Sequence, residues 1–197
     1  MKKIGLTGTI GSGKTTVSLL LKRKGYSVFN SDGYSRILYQ TTNPCYEKVV
    51  EAFGEGILDE FGEIDRKALA AIVFSDEEAR LRLNAIVHPA VVEGMRSFFA
   101  HHPDEDLVFA EVPLLYDAHL EGEFDKVLVV TCSKENAVKR MMEDRGYSEA
   151  EAIARYETQM NAVDQVKLAD AVLYNDGSIR ELDEALDAVL EALEETV

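Results

Sequence analysis

The run Gly8-Thr9-Ile10-Gly11-Ser12-Gly13-Lys14-Thr15 constrains this chain more than any other stretch. It fits G-x-x-x-x-G-K-[ST], a loop that wraps a polyphosphate between a strand and a helix. Glycines let the backbone approach the phosphates closely, and successive N–H groups form an anion nest. The following helix adds the positive end of its dipole. Gly8, Gly11, Ser12 and Gly13 would form the cradle, with Thr16 just behind it. Lys14 would reach the β- and γ-phosphates of ATP, and the Thr15 hydroxyl would ligate Mg²⁺. At average composition a chance match in a chain this long has a probability of roughly 1% or less. The flanks fit as well: Lys3 to Thr7 reads as a short buried strand, and Thr16 to Leu21 opens a helix.

The phosphate site has to be a local positive patch in an acidic molecule. The 197 residues carry a formal net charge of −15, which argues against nucleic acid or an anionic membrane as partner. Hydrophobic content of 46% supports a sizeable core without disulfides. The two cysteines, Cys45 and Cys132, stand in no metal-ligand spacing and read as reduced thiols. No apolar run approaches the ~20 residues of a membrane span, and no leader pattern precedes the first strand. A cytoplasmic enzyme is therefore expected, with no obligate protein partner.

Along the chain, Tyr26 to Phe29 reads as a second strand ending at Asn30-Ser31-Asp32-Gly33. Ligands of open parallel sheets gather at the carboxyl ends of strands. Asp32 there reads as a carboxylate beside the transferred phosphoryl group, as base, metal ligand or both, and equally as the N-cap of a helix near Tyr34; the two roles do not exclude each other. Residues 34–102 turn mostly helical. Starts are expected at Asn43-Pro44, Asp65, Ser75 and Pro89, and an apolar face at Leu69, Ile72, Val73, Phe74, Leu81, Leu83, Ile86 and Val87. The length of this crossover suggests an insertion for the second substrate. Arg36, Arg66 and His88 are its polar candidates, each with a plain surface or turn role as the alternative.

Asp106 to Glu111 is a buried strand, and its last acid occupies the position of a metal-associated carboxylate or faces solvent. Lys126 to Thr131 is a further strand, capped into a helix by Ser133. The helix to Asp144 carries Lys139 and Arg140. Ser148 to Glu151 reads as a capping box, with Arg155 and Gln159 four apart on one helix face. Basic residues on this hairpin suggest a lid that excludes water. Ala171 to Tyr174 is the last strand. Ser178 caps a final helix with an apolar stripe at Leu182, Leu186, Val189, Leu190 and Leu193. The expectation is an α/β fold: a P-loop NTPase-type parallel sheet flanked by helices. Its core comprises residues 1–33, 103–133 and 165–197, with a helical acceptor-binding insertion at 34–102 and a lid at 134–164.

These pieces in this order resemble the dephospho-coenzyme A kinase family over nearly the whole chain. The resemblance rests on Leu6 to Thr16, Ser31-Asp32 with Arg36, Asp65-Arg66, and Leu83-Asn84. It continues through His88-Pro89, Val112 to Leu115, Arg140, Arg155, Gln159, Ala169-Asp170 and Asn175-Asp176-Gly177. It implies an ATP-dependent kinase acting on the ribose 3′-hydroxyl of dephospho-coenzyme A, with a core, an acceptor domain and a lid. It further implies that Asp32 activates the hydroxyl, that Arg140 binds phosphate, and that Asn175 and Gly177 lie near the adenine. Arg36, Arg66, His88 and Leu115 would then serve the acceptor. Two positions depart from the family pattern. Asn30-Ser31-Asp32 keeps only the final acid of Asp-Ala-Asp, and Asp144 stands where a second lid arginine is common, with Arg145 one step later. Another small-molecule kinase of the nucleoside monophosphate type shares the core and lid. A GTPase switch would need an Asn-Lys-x-Asp element, and Thr131 to Glu135 has none. A non-catalytic module would be expected to have lost Lys14 or the strand-end acid.

Overall fold

The computed structural model describes residues 1–195, so the two last positions of the expected core, Thr196 and Val197, lie outside the described residues. The chain forms two compact units, one of residues 1–29 and 102–197 and one of residues 30–101.

The first unit is built on a five-stranded parallel sheet. Its strands are β1 (Lys2–Thr7), β2 (Val28–Asn30), β3 (Leu107–Glu111), β4 (Lys126–Thr131) and β5 (Ala171–Tyr174), in the order β2-β3-β1-β4-β5. β1 is central and pairs Leu6 with both Glu111 and Leu128. Its C-terminal end, where the glycine loop begins, therefore lies where the strand order reverses, the usual ligand site of such sheets.

Helices α1 (Lys14–Arg23) and α9 (Ile179–Glu195) close one core against this sheet. Val17, Leu20 and Leu21 of α1 meet Leu182, Leu186, Leu190 and Leu193 of α9, as the helical spacing predicts. The acids on the outer side of α9 are not all solvated: Asp183 and Asp187 both pair with Lys24, at 2.8 and 2.6 Å. Helices α6 (Lys134–Arg145) and α7 (Glu149–Glu157) form a hairpin around Val138, Met141 and Ala152. The expected capping box is present, with Ser148 and Glu151 exchanging hydrogen bonds. Gln159 falls beyond the end of α7, so it does not share a helix face with Arg155. Helix α8 (Ala162–Leu168) leads into β5.

The second unit comprises α2 (Ser31–Leu38), α3 (Pro44–Phe53), α4 (Arg66–Ser75) and α5 (Glu77–Ala100). Its core gathers Leu38, Cys45, Val49, Ile57, Ile64, Leu69 and Val87. Asn43 and Asp65 cap α3 and α4 as expected. Three local expectations are corrected here. Asn30, not Asp32, caps α2, because its side chain accepts the Gly33 N–H and the helix starts at Ser31. Asp76, not Ser75, caps α5; Ser75 ends α4 and returns its hydroxyl to the Ala71 and Ile72 carbonyls. Pro89 does not start a helix but sits inside the 24-residue α5. One lost backbone hydrogen bond there is offset by the apolar positions Val87, Met95 and Phe99 buried along one helix. Phe74 and Leu81, expected in the core, are exposed, at 81% and 59%.

Candidate active site

The glycine loop leaves β1 through backbone conformations that side chains rarely adopt. Gly8 has φ 146°, and a Cβ there would lie 2.0 Å from the Val130 carbonyl of β4. Gly13 has φ 96°, and a Cβ there would fall 2.1 Å from Asn175 Nδ2. Both positions therefore require glycine for two independent reasons. Gly13 is also the N-cap of α1, whose first turn has no side-chain cap and no acid. The positive end of the helix dipole at that turn favours an anion.

Side chains from α1, from α6 and from the turn after β5 brace the loop. The Lys14 ammonium donates to the Gly8 and Thr9 carbonyls at 2.8 and 2.9 Å. The buried Asn175 amide donates to the Ser12 carbonyl at 2.8 Å. Arg140 of α6 donates to the carbonyls of Gly11, Ser12 and Asn175, at 3.3, 3.4 and 2.8 Å. These cations meet the back of the loop, where its carbonyls point, and give the acidic chain a positive spot beside the amides. Ser133 caps α6 as expected, and Asp176 accepts the Ser133 N–H; this hydrogen bond holds the Asp176 carboxyl below the ordinary range, helped by Asn136 and by the charge of Arg140. Ser12 Oγ is buried without a hydrogen-bond partner among the described residues. A buried hydroxyl inside an anion nest fits a phosphate oxygen.

Glu111, at the end of β3, is only 4% exposed, so its solvent-facing alternative is set aside. It accepts from Thr15 Oγ1 at 3.3 Å and from Ser18 Oγ at 2.7 Å. Thr15 and Glu111 thus present hard oxygen donors side by side at the foot of the loop. Among the described residues no group of three or more His, Cys, Asp or Glu forms a metal cage. The Thr15 and Glu111 oxygens are of the hard type that suits a Mg²⁺ ion, which takes one or two protein oxygens and completes its shell with phosphate and water.

Of the other residues singled out from the sequence, Thr16 lies in the first turn of α1 behind Thr15. Gly177 sits close under the final helix, where a Cβ would meet the Glu181 carboxylate that binds the Ser178 N–H. Leu115 is fully buried, packed where Gly5 leaves room on β1, so in this conformation it supports the sheet and offers no surface to a substrate. In the second unit Asp32 and Arg36 are four apart on α2 and share one face. Arg66 opens α4 and lies close enough to Tyr39 for its charge to oppose the rise that burial imposes on that phenol. His88 is exposed in the middle of α5, in neither a turn nor a cap.

Two contributors escaped sequence reasoning. Ser18 signalled itself only as a polar residue on the buried face of α1, one turn after Thr15. The brace by the Asn175 side chain had no local signal, because it joins positions 163 apart.

A family model described as dephospho-CoA kinase matches residues 2–181. The chain belongs to that family. It is accordingly a kinase, a phosphotransferase. A curated dephospho-CoA kinase of Bacillus cereus is 41% identical over 189 residues, covering 95% of this chain and 94% of that protein. Among solved structures, a Thermus thermophilus protein is similar with a TM-score of 0.84 and 38% identity, over 98% of this chain and 97% of that one. A dephospho-CoA kinase from Campylobacter jejuni is similar with a TM-score of 0.73 and 26% identity, with the same coverage. Among the described residues, no helix is long and apolar enough to cross a membrane.

Proposed function

We propose that this chain transfers the γ-phosphoryl group of ATP to the ribose 3′-hydroxyl of dephospho-coenzyme A, giving coenzyme A and ADP, and that Asp32 takes the hydroxyl proton. ATP-dependent phosphorylation of dephospho-coenzyme A is the activity of its family. The observation that carries the reading is the glycine loop that opens α1 with no side-chain cap and no acid, braced through its carbonyls by Lys14 and Arg140.

The acceptor oxygen bonds to the γ-phosphorus, and the bond from that phosphorus to the bridging β–γ oxygen breaks. Charge builds on the transferring group and on the departing ADP oxygens. Preorganised loop amides and Lys14 stabilise both without reorganising at the moment of transfer. Arg140 serves the same charge from the lid side. Asp32 orients the 3′-hydroxyl in line and receives its proton late, while Arg36, Arg66 and His88 bind the acceptor. Thr15, with Glu111 beside it and Asp32 as a further oxygen, would hold Mg²⁺, which supplies charge neutralisation across the phosphates when bound. Residues 134–164 act as the lid, and Asn175 and Gly177 border the adenine. A cytoplasmic setting agrees with two buried, free thiols.

ADP release from ATP with Mg²⁺ tests this. Dephospho-coenzyme A is compared with AMP, CMP, UMP, adenosine and no acceptor, and the product is read by mass and phosphate position. Release only with dephospho-coenzyme A, giving the 3′-phosphate, is expected. Release with a nucleoside monophosphate instead reassigns the acceptor, and acceptor-independent release alone removes the acceptor role of residues 34–102.

A further inference from the structure

Gln159 has no part in the chemistry above, yet it touches the phosphate loop. Its side-chain Oε1 accepts the Ile10 N–H at 2.9 Å, joining positions 149 apart. Ile10 is the loop residue just before Gly11, and its own side chain packs on Val138, Met141 and Ala152 of the α6–α7 hairpin. The ascending limb of the loop is thus fastened to the hairpin twice, once by apolar contact and once by a directed hydrogen bond.

The segment that presents Gln159 is itself held. Thr158 Oγ1 donates to the Arg155 carbonyl at 2.9 Å. The buried Gln165 donates to the Met160 carbonyl at 2.9 Å, and Asn161 caps α8 by accepting the Asp164 N–H at 2.9 Å. A side chain on such a braced turn arrives in one geometry and loses little freedom in making its bond. The loop it grips is the opposite case. Gly8, Gly11 and Gly13 all have positive φ, so local sterics alone do not fix the direction of the intervening amides.

We propose that Gln159 is a positioning residue for nucleotide binding, anchoring the Ile10 amide so that the amides that follow aim at the triphosphate. The type of side chain matters. An amide oxygen accepts the N–H while placing no negative charge beside a polyanion, which a carboxylate of the same length would do. The inference rests on the loop binding ATP, and its test is separate from the test of the acceptor.

Gln159→Met keeps the length and removes the strong acceptor; Gln159→Glu keeps an acceptor. ATP affinity is measured by calorimetry without any acceptor, alongside KM for both substrates, the thermal midpoint and hydrogen exchange at the Ile10 amide. Gln159→Met is expected to weaken ATP binding about five- to tenfold, the worth of one ordinary hydrogen bond. KM for dephospho-coenzyme A stays within about twofold and the thermal midpoint within about 4 °C, the scale of one lost hydrogen bond in a chain of this size. Ile10 exchange quickens in Gln159→Met and stays protected in Gln159→Glu. Unchanged ATP affinity in Gln159→Met overturns the proposal. So does a parallel rise in both substrates' KM with a lowered thermal midpoint, which marks general loosening. A wild-type protein that binds ATP through Gln159 but ignores dephospho-coenzyme A would overturn the acceptor assignment and leave this anchor standing.

Discussion

The sheet unit and the helical unit solve different binding problems with different parts of the chain. Around the glycine loop the working groups are main-chain amides, and the side chains that matter there, Asn175, Arg140 and Gln159, grip the backbone. In the helical unit the candidates Asp32, Arg36, Arg66 and His88 are side chains on helix surfaces, over an apolar core that does no chemistry. Main-chain sites need strict backbone geometry and tolerate few substitutions. Side-chain sites need only a rigid platform, so their positions can be exchanged while the fold stays put.

The largest expected effect tests the first half of that contrast. Lys14→Met should cut turnover about a thousandfold, the scale of losing one preorganised donor to a charged transition state. Near-normal turnover would mean that the amides alone suffice. Asp32→Asn should cost about a hundredfold in turnover while leaving ATP affinity within a factor of about three, the signature of a lost base on a separate unit. If ATP affinity falls as far as turnover, Asp32 serves the nucleotide instead. Gly13→Ala should destabilise by about 1–3 kcal/mol in a chemical denaturation series, because φ 96° and the Asn175 amide both oppose a methyl group. Equal stability would show that the Asn175 brace is dispensable. Smallest is Phe74→Ser, on a side chain 81% exposed, which should shift stability by less than about 0.5 kcal/mol and leave both KM values unchanged. A large loss there would show that the helical unit uses its surface for packing.

The same contrast explains what the sequence made legible. The loop was readable because glycine at fixed offsets is itself the backbone instruction, and the α9 stripe because leucines three and four apart leave one solution. In the helical unit, Ser75 and Asp76 are adjacent residues that both cap well, and only the packed structure chooses between them. Pro89 reads as a boundary by its local cost, yet burial along the rest of α5 outweighs that cost. Ser18, the Asn175 brace and the Gln159 anchor depend on contacts between segments far apart in the chain, which no local pattern encodes. Leu115 lies in a distinctive motif and fills the space beside Gly5 of β1, a packing role that its local pattern does not announce.

The contact between Gly13 and Asn175 also bears on how the molecule is made. The loop is encoded in the first fifteen residues, but a donor to its Ser12 carbonyl, which is also the close packing partner of Gly13, is supplied by a turn near position 175. β1 must first be flanked by β3 and β4, and β5 must then dock before that turn arrives. During synthesis from the N-terminus the nucleotide cradle thus remains unfinished until the last strand has emerged. Its closure is a late, long-range event, of the kind that sets the pace of folding.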